Sequence, residues 1–317
     1  MDALSQMLAL AQGEIRLDTR CALSGSFILP HEPLPPGQAV FHLVLDGRCR
    51  VQSLPGTFLD LSPGSFVLLP QGQAHTLSGM NAGAGHAASR VTQEQPVDAL
   101  LPVTRTADAD GDGEVDLLCG RLLYSQSGST LLMQQLPPVL QVCLHQTPGI
   151  DALRTLTQLL RHEVSARQPG AWAIANALAQ ALLAYAMRAY GEGEPSDAPQ
   201  PSWLALIADE RLCASLQAML ADPQRPWTLD TLGAAAAMSR ATYARRFKDA
   251  SGMTPGAALL AVRMMHASKL MLQTRRTLAD IAETVGYQSE AAFGKAFRHA
   301  LGSTPGQWRK NLSLIHI

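Results

Sequence analysis

Two hydrophobic periods divide the chain. From Arg16 to about Leu123, apolar residues come in short runs broken by Gly and Pro. Ala39–Leu45, Arg48–Leu54, Thr57–Leu61, Ser65–Leu69 and Ala74–Ser78 are of strand length, with turns at Asp46-Gly47, Pro55-Gly56, Pro63-Gly64 and Gln71-Gly72. Leu100–Thr104 and Val115–Leu123 extend the series. Short, evenly spaced strands of this kind predict a small barrel or jelly roll. Helical spacing brackets this region: Met1–Leu10 reads as a short amphipathic helix, and Asp151–Ala166 and Trp172–Tyr190 as two longer ones joined near Gln168-Pro169-Gly170. Gly191–Pro201 has the composition of a linker, and the pattern beyond it is helical.

The helical region contains a repeat. Residues 239–256 read SRATYARRFKDASGMTPG and residues 289–306 read SEAAFGKAFRHALGSTPG. At this spacing Ser239/Ser289, Phe247/Phe297, Gly252/Gly302 and Thr254-Pro255-Gly256/Thr304-Pro305-Gly306 coincide. Each copy follows an alanine-rich apolar segment and opens with a serine suited to cap a helix, which predicts helix, turn, helix twice over. The aromatic residues at i and i+4 (Tyr243 and Phe247; Phe293 and Phe297) form a stripe to bury. The other side carries small residues (Ala241, Ala244; Ala291, Gly294) and cations (Arg245, Lys248; Lys295, Arg298). A helix so divided can enter a DNA major groove. Arg245 and Lys295 are the candidate base readers. Arg240, Arg246, Lys248 and Arg298 are the candidate phosphate contacts or braces, and Ser239, Ser289 and Glu290 stand at the helix starts.

These residues resemble the AraC/XylS family of transcription regulators, whose DNA-binding domain carries two helix-turn-helix units joined by a long helix. The resemblance runs from about Trp203 to Lys310 and includes Arg263, Ala267, Leu270 and Leu272 on the joining helix. In the second unit it takes in Ile281-Ala282, Gly286-Tyr287, Phe293, Phe297 and Thr304-Pro305. It implies double-stranded promoter DNA and RNA polymerase as partners, and no catalytic residues. Charge agrees independently. Residues 201–317 hold 14 Lys/Arg against 8 Asp/Glu and residues 1–200 hold 11 against 18, so a basic half is hidden in a net charge of −1.

The sequence also limits other classes. The first basic residue is Arg16, which gives no charged leader start, and Ala171–Tyr190 is interrupted by Asn176, Gln180 and Arg188. A cytoplasmic protein without a membrane span is therefore expected. Five cysteines at irregular spacing argue against a disulfide framework.

In the front half, Gly64-x5-Pro70-x-Gly72-x2-His75 resembles the second motif of the cupins, and Phe41–Gly47 stands where the first would fall. Metal-binding cupins offer His-x-His and a Glu there; here Val44 replaces the second His, so neither a metal nor another cofactor is expected, and a cupin metalloenzyme is the weaker reading. His31, His42 and His75 could still converge, with ordinary hydrogen-bonded histidines the plainer expectation. Asp108–Gly113 imitates a calcium loop, but Cys119 stands at the twelfth position where a Glu belongs, so calcium is rejected. The opening MDALS, Cys21, Leu29-Pro30-His31, the segment ending at His75 and Cys119-Gly120 resemble the reactive-chlorine-responsive activators of the same regulator family. That resemblance implies an oxidant as effector, with Cys21 and Cys119 as redox sensors able to pair; a small-molecule ligand in the barrel is the alternative. Sensing asks for an accessible thiolate, whereas Cys49, Cys143 and Cys213 read as packing residues.

The expected fold class is α+β multidomain. A cupin-like sensor domain occupies 1–147, a helical segment that can form a homodimer 148–190, a linker 191–201, an all-α double helix-turn-helix domain 202–310, and a tail 311–317.

Overall fold

The computed structural model describes residues 1–11, 13–54, 56–82, 91–94, 100–106, 114–124, 128–144, 150–165, 168–192 and 201–315. They form two compact units that are discontinuous in sequence. One holds Glu14–Leu123 and Pro138–Tyr190, and the other Met1–Gly13, Tyr124–Pro137 and Gly191–Ile317.

The first unit is a pair of sheets. The larger sheet has the order β11(Leu140–Cys143)-β6(Ser65–Leu69)-β3(Gln38–Asp46)-β10(Val115–Leu123)-β1(Glu14–Leu23)-β9(Val103–Thr106)-β8(Val91–Glu94). The smaller has β2(Ile28–His31)-β7(His75–Gly79)-β4(Cys49–Leu54)-β5(Thr57–Leu61). The expected strands are present within a residue or two, except that the one expected over Leu100–Thr104 begins later, at Val103. To them are added β1, β2, β8 and β11. β1 alternates strictly at its start, with Ile15 and Leu17 buried and Glu14 and Arg16 exposed, before a bulge between Leu17 and Thr19. Phe27, Val44, Val51, Val67, Leu77 and Leu117 share one core cluster with residues of both sheets, as face-to-face sheets require.

Two helices complete this unit, α3(Ile150–Ser165) and α4(Ala171–Glu192). Their attachment to the sheet is polar as well as apolar. Asp116 of β10, almost fully buried, pairs with Arg20 of β1 at 2.8 Å and with Arg161 of α3 at 3.1 Å. Two guanidinium partners supply the compensation a buried carboxylate needs.

The second unit is helical. α5(Trp203–Ala208), α6(Glu210–Ala221), α7(Leu229–Ala235) and α8(Arg240–Ser251) precede the long α9(Pro255–Gln273), and α10(Leu278–Thr284), α11(Glu290–Leu301) and α12(Pro305–Ile315) follow it. The repeated Gly-x-Thr-Pro-Gly is explained by its geometry. Gly252 and Gly302 end α8 and α11 in the left-handed region, with φ of 74° and 73°. Thr254 then caps α9 by accepting from the Ala257 N–H, and Pro255 fills its first position. Thr228 and Thr277 close capping boxes on α7 and α10.

α1(Ala3–Ala11) and α2(Gly128–Met133) belong to this helical unit and not to the sheets. The reason is apolar: α1 buries Ala3, Met7, Leu10 and Ala11 and packs against α6 and α9, and α2 packs against α9. The contiguous front domain expected over 1–147 thus gives two pieces to the helical unit. The residues expected as a tail continue α12 as far as Ile315. The calcium-like run Asp108–Gly113 lies outside the described residues, as does 193–200 of the linker.

Candidate functional site

Strand register assembles a chemical cluster inside the sheet unit. β3 and β10 set His42 directly opposite Cys119, and β2 and β7 set His31 opposite His75. His42 therefore comes from the larger sheet and the other two imidazoles from the smaller. They meet in the interior: His42 Nε2 lies 2.8 Å from His75 Nε2, and His31 stacks on His75 with ring centroids 4.4 Å apart. On the other side of the His42 ring, Nδ1 lies 3.1 Å from Cys119 Sγ, and Cys119 Sγ is 3.7 Å from Cys21 Sγ on β1.

The network satisfies every link with neutral groups. His75 donates its Nδ1–H to the Gln73 carbonyl at 3.1 Å, which leaves its Nε2 as an acceptor for the His42 Nε2–H. His42 Nδ1 then accepts from the Cys119 thiol. His31 donates its Nδ1–H to the Leu29 carbonyl at 3.2 Å. Burial favours this neutral arrangement. Burial, followed by the neighbouring His75, lowers His31 to about 4. Burial holds His42 well below the usual histidine range, with His75 and His31 adding to it, and burial also lowers His75. The Cys119 thiol is pushed well above its ordinary value by its hydrogen bond with Cys21 and then by burial. Burial, and after it Cys21, raises Cys49 to about 12.

The accessible thiolate expected of a sensing cysteine is not what the fold provides. Cys21 is 1 % and Cys119 5 % exposed, and both belong to the core cluster with Cys49. What it provides instead is proximity, together with an imidazole nitrogen placed to accept the Cys119 proton. A disulfide needs the sulfurs about 2.05 Å apart, and from 3.7 Å side-chain rotation has a short distance to close. Cys143 on β11 and Cys213 on α6 are half-buried and stand apart from the cluster. Sequence reasoning missed the Cys119–His42 contact, because only register reveals it. Gly120 beside it admits no side chain: a Cβ there would lie 2.4 Å from the Arg16 carbonyl oxygen and 2.6 Å from the Phe41 ring.

The helical unit presents the second candidate surface. Tyr243 and Phe247 of α8 and Phe293 and Phe297 of α11 are wholly buried, and each pair meets edge to face with centroids 5.5 Å apart. This fixes which side of each helix faces outward. Arg240, Ala241, Arg245, Arg246 and Lys248 of α8 are exposed, as are Glu290, Ala291, Lys295 and Arg298 of α11. Ala244 and Gly294 are half-buried between them. Ser239 and Ser289 cap the two helices by accepting from the Thr242 and Ala292 N–H groups. Two cations differ in kind. Arg246 pairs at 2.6 Å with Asp209, which also caps α6, and so braces the fold. Arg245 makes only a 3.8 Å pair with Asp249 and remains largely exposed.

A double-sheet unit with a buried thiol–imidazole cluster, joined in one chain to two helix-turn-helix units with exposed cations, defines a DNA-binding regulator in two parts. Comparison with known proteins agrees. Residues 2–192 match the cupin family and residues 232–311 a helix-turn-helix domain. The chain is 32 % identical to an HTH-type transcriptional regulator of Haemophilus influenzae, over 99 % of this chain and all of that one. It is 29 % identical to the RCS-specific HTH-type transcriptional activator RclR of Escherichia coli K12, over 98 % of each chain. It is 30 % identical to the HTH-type transcriptional regulator MtrA of Neisseria gonorrhoeae, also over 98 % of each. The chain belongs to the AraC-type family of DNA-binding transcription regulators that carry a cupin domain. Among the described residues no helix is long and apolar enough to cross a membrane.

Proposed function

We propose that this regulator is a transcription activator that responds to hypochlorous acid or a related small oxidant through Cys21 and Cys119. The observation that carries this reading is the 3.7 Å contact between the two sulfurs, with His42 Nδ1 3.1 Å from one of them. The relative named as an RCS-specific activator matches over the whole chain and supports the same reading. In the step envisaged, the two thiols together lose two electrons and two protons. Hypochlorous acid accepts the electrons and leaves as chloride and water, and one proton is released. His42 takes the Cys119 proton as the S–S bond forms, which compensates for a thiol that is protonated at rest. Burial suits a small, uncharged oxidant and excludes larger ones.

The helical unit then binds promoter DNA in the cytoplasm, with Arg245 and Lys295 reading bases and Lys248 and Arg298 meeting phosphates. RNA polymerase is the partner of an activator so placed. Exposed Leu159, Trp172 and Ile174 on α3 and α4 support a homodimer. A promoter-reporter assay under hypochlorous acid tests the reading. Cys21→Ser abolishes induction and leaves basal DNA affinity unchanged, and Cys119→Ser weakens induction, whereas Cys143→Ser and Cys213→Ser leave it intact. A full response from Cys21→Ser rules out the thiol mechanism and leaves a small-molecule effector in the barrel.

A further inference from the structure

We propose that Arg263 is a positioning residue that sets the spacing between the two DNA segments this chain reads, by tying the entry of the first helix-turn-helix unit to the turn of the second. The proposal rests on the reading that both units engage one duplex, and not on which of their cations meet bases.

Arg263 stands midway along α9 and reaches both units at once. Its Nε–H donates to the Pro223 carbonyl at 2.8 Å and an Nη2–H to the Arg225 carbonyl at 3.1 Å. Both carbonyls belong to the connection from α6 to α7, which leads into the first unit. The same guanidinium lies over the Tyr287 ring, 5.6 Å from its centroid. Tyr287 belongs to the turn of the second unit. Its N–H donates to the Ala282 carbonyl at 2.9 Å, and its ring meets Phe293 of α11 with centroids 5.7 Å apart. The two units also approach backbone to backbone here: a Cβ on Gly286 would lie 2.7 Å from the Gln224 carbonyl oxygen and 2.8 Å from Arg263 Nη2.

Both sides of this joint are stiff. The Trp227 N–H donates to the Arg225 carbonyl at 2.8 Å, its indole Nε1–H donates to the Asp222 carbonyl at 2.8 Å, and the Arg225 guanidinium lies over its ring at 4.3 Å. The bridging group must be an arginine, because a planar fork can bond two carbonyls and still offer its face to a ring, whereas an ammonium has neither plane nor fork. Elsewhere α9 meets the second unit through Met264, Ala267 and Met271. Apolar packing has no direction and methionine adapts to small shifts, so those contacts hold the unit without fixing its angle. The directed bonds at Arg263 fix it. In DNA, one added base pair turns the second segment by about 35° and moves it about 3.4 Å along the axis. A stiff joint rejects that change and a loosened one follows it.

The test reads spacing, which a merely structural role would not move. The duplex that the full parent chain enriches most from a random library is footprinted to locate its two contacted segments. Derivatives carry one base pair more or fewer between the segments, or one segment scrambled. The parent is expected to lose affinity for all of them; indifference to scrambling of one segment overturns the two-unit reading and the proposal with it. In Arg263→Lys and Arg263→Met, the preference for the selected duplex over the respaced ones is expected to fall at least about threefold. Both variants should bind the scrambled duplexes as the parent does. Arg263→Lys keeps the charge and the stem, so it is the variant expected to keep its fold, and circular dichroism checks both. A spacing preference unchanged in folded Arg263→Lys, with both segments still required, overturns the proposal alone. So does an unchanged preference in Arg263→Met with a salt dependence flattened by about one phosphate, which would make Arg263 a direct DNA contact.

Discussion

At the scale of single residues, hydrogen-bond geometry separates cations that composition leaves alike. Arg246 is held by Asp209 at 2.6 Å, whereas Arg245 stands exposed with only a long pair to Asp249. Arg245→Ala is expected to cost about 1–3 kcal/mol of specific binding and to relax preference at one base position. Lys248→Ala should weaken all sequences evenly and flatten the dependence on salt. Binding measured on a library of sites at two salt concentrations distinguishes the two, and identical sequence profiles for both variants would refute the assignment. The imidazole cluster makes a different prediction. The groups facing His31 are His42 and His75, with Cys119 and Cys21 beyond them. Its folded value of about 4 lies below the ordinary 6.5, so the unfolded chain binds more protons between those limits. Stability is full above about pH 6.5 and falls progressively as pH drops towards 4. Thermal unfolding across that window should show the decline, and His31→Asn should flatten part of it.

At the scale of elements, the two helix-turn-helix units solve the same turn with different residues. Ala237 follows α7 with φ of 50°, the only non-glycine residue with positive φ among the described residues, and Gly286 follows α10 with φ of 86°. A left-handed Ala costs about 1–2 kcal/mol, so Ala237→Gly should be neutral to mildly stabilising. Gly286→Ala should destabilise by more than that, because its Cβ would meet the Gln224 carbonyl oxygen at 2.7 Å and Arg263 at 2.8 Å. Urea midpoints of the two variants check the contrast. The helical half was legible because each device in it is local: a cap three residues from its partner, an aromatic pair one turn apart. The sheet half was legible where glycine turns punctuate apolar runs. β1 was harder to read, since EIRLDTR alternates charge with Ile and Leu and then bulges, although period two was present in its first four residues. β2 and β11, at four residues each, are too short to declare a period. The imidazole–thiol cluster was legible only as a list of residues. Its geometry depends on which strands pair and in what register, and no spacing along the chain encodes that. The placement of α1 was invisible for the same reason, because an amphipathic helix shows that it is buried but not against what.

At the scale of the whole molecule, the acidic and basic halves of the sequence suit a part kept from DNA and a part drawn to it. The division by charge is nevertheless not the division by folding. The chain passes from one unit to the other at Gly13/Glu14, Leu123/Tyr124, Pro137/Pro138 and Tyr190/Gly191. Exchanging sensor domains between such regulators at a single splice point near 191 therefore moves α1 and α2 with the sensor, so that α6 and α9 meet another protein's helices in place of their own. The same topology bears on the proposed cysteine switch. Cys21 and Cys119 sit on antiparallel neighbours whose paired ends are Glu14 and Leu123, and those are the very residues at which the chain crosses over to α1 and towards α2. On the oxidant reading proposed above, a change of tension in that two-strand ladder would reach both helices along covalent bonds, without any need for a path through side chains. Lengthening the tether by inserting three glycines after Gly13 should thus leave thiol oxidation intact, as read by alkylation of the free sulfurs, while blunting the promoter response. A response of undiminished size would show that the backbone is not the cable.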